Sequence, residues 1–233
     1  MRFSIIVPTL NEEKYLPSLI DSIKRQTFKD FEVIFVDSNS RDKTRAIARN
    51  YGKVLIEKRR GIGIARNRGA KEAKGEILFF TNGDTMLSKR LLETYDKEFS
   101  KDAGLVAATG PLEPLENVNL LIRAGYFGAS VLLAKFALMI GQPSISGSNF
   151  AIRKDAFEKA KGFNEHLYTY EDLDLSRRIK NYGKVKFIDS AVVKTSARRI
   201  LKWGLVKYTF FNASNVLKYY AFKRPYTEYE PIR

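Results

Sequence analysis

Along the first hundred residues, short apolar runs alternate with stretches in which apolar positions recur every three to four residues. Residues 3–8 form a nearly continuous apolar run, the pattern of a strand covered on both faces. From Asn11 to about Gln26 the positions Leu16, Leu19, Ile20 and Ile23 share one helical face, opened by Asn11-Glu12-Glu13. The same alternation predicts strands over 31–36, 53–56, 76–80 and 104–108, and helices over 42–50, 64–73 and 88–99. Strands separated by helices of this length build βαβ units, so the first half reads as a parallel sheet flanked by helices.

The pattern changes after about residue 110. Residues 117–140 are apolar, punctuated by Gly125 and Gly128, and read as a helix. Arg123 and Lys135 leave eleven uncharged residues between them, short of the roughly 20 that a spanning helix needs. Strands are predicted over 144–152 and 184–188 and helices over 172–182 and 200–222, with Pro225 a natural stop. No Gly-, Ser- or Pro-rich linker divides the chain. The expectation is one α/β unit over 1–195 followed by a basic, aromatic helical extension over 196–233.

Composition narrows the chemistry. With 233 residues, 44% of them hydrophobic, the chain can bury a sizeable core and is too apolar to be disordered. The absence of cysteine excludes a disulfide scaffold, a thiolate metal site and a cysteine nucleophile. His166 is the only histidine, which excludes a multi-histidine metal cage and argues against a Ser-His-Asp site; it reads as a solvated loop residue. The net charge of +15 points to anionic partners: phosphorylated small molecules, an acidic membrane surface or nucleic acid. The first apolar run stops at Pro8, too short for a signal peptide, so a cytoplasmic protein is expected.

Ligands of an open parallel sheet bind beyond the carboxyl ends of its strands. Three such ends carry polar groups: Pro8-Thr9-Leu10-Asn11-Glu12, Asp37-Ser38-Asn39-Ser40 and Thr81-Asn82-Gly83-Asp84. Asp37 can accept from a base imide or a ribose hydroxyl, or merely close a turn. Gly61-Ile62-Gly63-Ile64-Ala65-Arg66 starts like a dinucleotide fingerprint, but Arg66 stands where a third glycine would, and the segment follows the third strand. Arg66 is then either a phosphate partner or a solvated helix residue. Asp84 can hold Mg²⁺ or Mn²⁺ on a diphosphate, or belong to a plain Asn-Gly turn. Glu171, Asp172 and Asp174 open a predicted helix, where acids suit the dipole or supply a general base.

Taken in order, these segments resemble glycosyltransferase family 2 of the GT-A fold. The resemblance is carried by Ser4-Ile5-Ile6-Val7-Pro8-Thr9-Leu10-Asn11-Glu12-Glu13, by Phe31 to Ser40, by Gly63-Ile64-Ala65-Arg66-Asn67 and by Gly75 to Phe80. Gly147-Ser148-Asn149-Phe150-Ala151-Ile152-Arg153, Gly162-Phe163-Asn164-Glu165 and Glu171-Asp172 complete it, over about residues 3–190. The resemblance implies a Rossmann-like, mostly parallel sheet with a nucleotide-binding half (1–110) and an acceptor half (111–195). It implies inverting transfer of a sugar from a nucleoside-diphosphate sugar, aided by Mn²⁺ or Mg²⁺. The donor pocket would comprise Pro8, Thr9, Asn11, Glu12, Asp37, Arg66, Asn82 and Arg199; Asp84 would hold the metal. Asp172, paired with Glu171, would be the base, and Gly147, Ser148 and Asn149 would lie on the acceptor side. The sequence departs from the family pattern twice: Asn82 stands for the first metal-motif Asp, and Val193-Lys194-Thr195-Ser196 has no histidine. A catalytically silent module that binds nucleotide or anionic surfaces is the alternative these departures leave.

From Arg198 to Arg224 the charged residues are all basic and are interleaved with aromatics such as Trp203, Tyr208 and Phe211. That composition fits packing on the domain, or contact with the cytoplasmic, inner face of a membrane. Either Arg198 or Arg199 could then reach a donor diphosphate. Nucleic acid is not an expected partner, and the acceptor is read as a glycan or a lipid-linked molecule.

Overall fold

A computed structural model describes residues 1–204 and, beyond them, residues 207, 208, 210, 211, 214 and 218. The predicted alternation is present in order: β1 (Phe3–Thr9), α1 (Leu16–Lys24), β2 (Phe31–Asp37), α2 (Thr44–Arg49), β3 (Lys53–Ile56), α3 (Ile62–Glu72) and β4 (Ile77–Phe80). There follow β5 (Thr85–Leu87), α4 (Leu91–Lys101), β6 (Leu105–Thr109), β7 (Leu112–Pro114), α5 (Leu120–Met139), β8 (Phe150–Arg153) and α6 (Lys154–Lys159). The described part closes with α7 (Glu171–Ile179), β9 (Lys184–Phe187), β10 (Val193–Thr195) and α8 (Arg198–Trp203).

The main sheet has the order β3-β2-β1-β4-β8-β6-β9. Period-2 alternation on β1 sends Phe3, Ile5 and Val7 to one face, where they meet Leu16, Leu19, Phe35, Phe79 and Tyr95. Ile6 points the other way, into a cluster with Ile34, Val36, Phe80, Phe150, Phe157 and Phe163. Both faces are thus buried, which is why these strands read as continuous apolar runs.

The sheet is mixed and mostly parallel, as expected, with only β8 antiparallel to its neighbours β4 and β6. Three features depart from the expected layout. The strand expected over 144–152 begins only at Phe150, because 143–149 form the loop that leads into it. A second, three-stranded sheet, β5-β10-β7, has no counterpart in the sequence reading. The expected helix 200–222 begins earlier, as α8 at Arg198, and is interrupted at Gly204, whose φ is +78°; residues 207, 208, 210, 211, 214 and 218 beyond it are helical, and the rest of that stretch lies outside the described residues.

These departures assemble the site. Antiparallel pairing of Phe80 with Phe150 sets the residues after β4 beside those before β8. Pairing of Thr195 with Thr85 sets the residues after β10 beside Asp84, whose carbonyl accepts from the Ser196 N–H at 3.0 Å.

Candidate active site

The first strand end is a cross-linked pair of loops. Parallel register puts Thr9 opposite Asp37, and the Thr9 hydroxyl donates to Asp37 Oδ2 at 3.3 Å. Asp37 is buried and also accepts from the Ser40 N–H at 2.9 Å and from the Ser40 hydroxyl; Arg45 Nε lies 3.4 Å away. Asn11, in the left-handed region at φ +53°, donates its N–H to Ser40 Oγ and accepts from the Arg41 N–H at Oδ1. The Glu12 N–H donates to Thr44 Oγ1 at 2.7 Å. Pro8 completes β1 opposite Val36. Pro8, Thr9, Asn11, Glu12 and Asp37 therefore do converge on one edge of the sheet.

The second strand end carries an ion cluster. Arg198, the first residue of α8, donates to both carboxylate oxygens of Glu12 at 2.9 and 3.1 Å and lies 2.9 Å from Asp84 Oδ2. Gly83 is required here, since a Cβ would stand 2.9 Å from Glu12 Cγ. Burial lowers the Arg198 pKa, but Glu12 and Asp84 outweigh it and leave it raised. Glu116 holds the start of α8 in place by accepting from the Ser196 hydroxyl and from the Ala197 N–H at 2.6 Å. Of the two arginines expected to reach this site, Arg198 makes these contacts, and Arg199 beside it also feels the charge of Asp84. Arg199 lies 5.5 Å from the Trp203 ring centre, and burial holds its pKa below the ordinary value.

The third feature is Arg66, whose side chain is buried on α3. Its Nη1 donates to Glu171 Oε1 at 2.6 Å, and Nη2 donates to Asn82 Oδ1 at 3.0 Å and to the Gly147 carbonyl at 2.9 Å. Gly147 has to be glycine, because a Cβ would overlap the Arg66 guanidinium. The Asn82 amide nitrogen donates to Ser148 Oγ at 2.8 Å. Arg66 thus ties the turn after β4, the loop before β8 and the start of α7 into one unit. Arg66 is therefore a buried hub and not a solvated helix residue, and Asn82 engages both ends of its amide within the protein.

Asn149 is also corrected. It is fully buried, accepts from the Tyr95 hydroxyl at 2.7 Å and donates to the Ala191 carbonyl at 2.8 Å, so it knits the core together and lines no acceptor surface. Gly147 and Ser148 stand beside Asp172 and Asn82: the Gly147 N–H donates to Asp172 Oδ2, and Ser148 Oγ accepts from the Asn82 amide.

At the start of α7 the three acids divide their work. Glu171 faces Arg66, and Asp174 pairs with Arg178 at 2.7 Å. Asp172 Oδ2 accepts from the Gly147 N–H at 2.9 Å and its Oδ1 from the Leu173 N–H at 2.8 Å; among the described residues it makes no ion pair. Burial, then the charge of Asp172, push the Glu171 carboxyl up to about 7 despite the opposing pull of Arg66. Tyr170 precedes the helix at φ +61°, a left-handed conformation that turns the chain sharply into α7.

For a divalent cation the donor set is sparse. Among the described residues no group of three or more His, Asp or Glu side chains gathers as a metal cage. Asp84, with Glu12 on the other side of Arg198, suits an ion that takes most of its ligands from substrate phosphates and water. His166 stays in the loop before α7, its N–H donating to Asn164 Oδ1.

Arg198, Glu116 and Arg45 carry much of this geometry. Of these the sequence reading singled out only Arg198. Glu116 and Arg45 sit in polar stretches with no motif, so only the pairing of distant strands shows their use.

Comparison with known proteins agrees with the geometry. The chain is 28% identical over 209 residues to the O-antigen chain rhamnosyltransferase RfbN of Salmonella typhimurium, covering 84% of this chain and 67% of that one. Staphylococcus aureus TarS residues 1–349 in complex with UDP-GlcNAc has a TM-score of 0.68 at 24% identity, over 84% of this chain and 58% of that one. The mannosyltransferase PcManGT of Pyrobaculum calidifontis, in complex with GDP-Man and Mn²⁺, has a TM-score of 0.64 at 19% identity, over 91% of this chain and 64% of that one. The chain thus spans about two thirds or less of the length of these proteins. Their likeness shows the GT-A fold. The profile of glycosyl transferase family 2 matches residues 4–160, about two thirds of the chain, and the chain belongs to that family.

Proposed function

We propose that the chain transfers a sugar, with inversion, from a nucleoside-diphosphate sugar to a hydroxyl or phosphate on a glycan or lipid-linked acceptor. The observation that carries this reading is the division among the three acids of α7: two are paired with arginines, and Asp172 is held only by backbone N–H groups. A carboxylate so held is oriented without being neutralised, as a general base must be. Asp172 takes the proton of an acceptor hydroxyl, the acceptor oxygen bonds to the anomeric carbon, and the bond from that carbon to the diphosphate breaks. A phosphate acceptor needs no deprotonation, and Asp172 then orients it.

The donor's nucleoside lies along Pro8, Thr9, Asn11 and Asp37, and its diphosphate toward Glu12, Asp84 and Arg198. Asp84 is the residue that would hold Mn²⁺ or Mg²⁺ against the diphosphate oxygens, and the chemistry such an ion supplies is neutralisation of the leaving group. Arg198 is the protein's own cation at that place. The RfbN name, with its O-antigen chain, supports a polysaccharide or glycolipid acceptor. The +15 charge supports a peripheral position on the cytoplasmic face of the inner membrane, through 198–224.

The test is diphosphate release from a panel of UDP-, GDP- and dTDP-sugars with Mn²⁺, Mg²⁺ or chelator, for the wild type and Asp172→Asn. We expect release from one donor class and a fall of roughly 10²- to 10⁴-fold in Asp172→Asn at unchanged nucleotide affinity. Nucleotide binding without release from any donor would leave the silent binding module as the function.

A further inference from the structure

α5 is built inside out. It is 20 residues long with a mean hydropathy of 1.4 over its most apolar window, yet only 6% of that window is buried. The stripe that meets the domain is Ile122, Tyr126, Ser130, Ala134 and Leu138, spaced by one helical turn, with small side chains at its centre. Ser130 Oγ accepts from the Leu112 N–H at 3.2 Å, and Lys135 Nζ pairs with Asp189 at 2.7 Å. The large apolar side chains point away: Leu120 is 80% exposed, Leu132 70%, Leu133 68%, Phe136 55% and Met139 75%.

We propose that this outward face docks on an anionic lipid bilayer, with α5 lying in the plane of the interface. A patch of this kind on a folded domain marks an interaction surface. Its charge selects the occupant. Residues 117–141 contain Arg123 and Lys135 and no acid, within a chain of net charge +15. Leu201 and Phe210, at the start of the basic extension, are also exposed. Cations beside exposed leucines and phenylalanines match a surface of anionic headgroups over acyl chains. Lys135 is answered by Asp189, which leaves Arg123 and the net charge of +15 to disfavour a second copy of this chain on that face. The ties to Leu112 and Asp189 keep one side of α5 on the domain, which sets it in the interface and not across the bilayer. The inference does not depend on the transfer reading, since its test needs no turnover.

The cysteine-free chain makes that test clean. The full chain, labelled at Leu133→Cys with an environment-sensitive dye, is mixed with phosphatidylcholine vesicles with and without phosphatidylglycerol. The dye is expected to shift to the blue on the anionic vesicles, and the protein to sediment with them. The triple variant Leu132→Ser, Leu133→Ser, Phe136→Ser should bind them at least about tenfold more weakly with unchanged circular dichroism. No dye shift, or equal binding by the triple variant, would overturn the proposal. So would a wild-type dimer that the triple variant abolishes, which would make a second copy the occupant, or resistance of bound protein to alkaline extraction, which would make α5 a span.

Discussion

The Arg198 guanidinium lies 2.9 Å from the Asp84 carboxylate, joining the first turn of α8 to the turn after β4. Its other partner is Glu12, so one cation serves two largely buried acids. Any ion or diphosphate that uses Asp84 has to share it with Arg198 or displace it.

Arg198→Gln should therefore lower stability by about 3–5 kcal/mol, because it removes the cation that these two largely buried carboxylates share. Millimolar Mn²⁺ should restore part of the loss in the variant and add little to the wild type. Thermal unfolding with and without Mn²⁺ reads both effects; equal responses in the two proteins would show that Asp84 does not receive the ion.

Arg66→Ala should cost a similar ~3–5 kcal/mol, since Glu171 would remain buried and unpaired. Arg66→Lys keeps the charge but cannot meet Glu171, Asn82 and the Gly147 carbonyl together, as the planar fork does. Nucleotide affinity should survive in Arg66→Lys while turnover falls, because the guanidinium orders the loop that holds Asp172. Denaturant melts and single-turnover kinetics on both variants check this; a loss of nucleotide affinity alone would return Arg66 to the diphosphate.

Glu171 gives a pH signature. Its carboxyl is raised from the usual carboxylate range to about 7, burial being the first cause. Between these values the folded state holds a proton that the unfolded state has lost, so this group's contribution to stability falls as pH rises from about 4.5 to 7 and is level outside that window. Glu171→Gln should flatten that slope. Urea melts across the window compare the two, and identical slopes would refute the assignment.

Asn149→Ala should destabilise the domain without touching the donor site. Both the Tyr95 hydroxyl and the Ala191 carbonyl would lose partners in the core, each costing about 1–3 kcal/mol. Nucleotide affinity measured well below the melting temperature should be unchanged; a selective loss of acceptor binding would restore Asn149 to the acceptor surface.

The βαβ half was legible because its signal is local. A strand buried on both faces is apolar at nearly every position: β4 is so throughout, and β1 and β2 are so apart from Ser4, Thr9, Glu32 and Asp37; α1 begins only at Leu16, after a turn in which the Tyr15 N–H donates to the Glu12 carbonyl. The gathering of Thr9 and Asp37 follows from the register of two adjacent parallel strands, so motif reading located it. Arg66 was ambiguous for the opposite reason. A solvated and a buried arginine look alike in sequence, and the partner that distinguishes them, Glu171, lies 105 residues away.

By itself, the sequence determined the alternating α/β architecture, the polar strand ends, the acids at α7 and the basic, cysteine-free character. Those properties reside in short periodicities and in composition, which no tertiary contact can alter. Tertiary structure alone decided that β8 runs antiparallel, that three-residue strands pair to bring Arg198 onto Asp84, and that Arg66 is enclosed. It also decided which face of α5 is left to the outside. Strands that short carry no pattern of their own, and an apolar helix does not state which of its faces is covered. Such choices belong to long-range pairing, where the geometry of the whole sheet selects each partner.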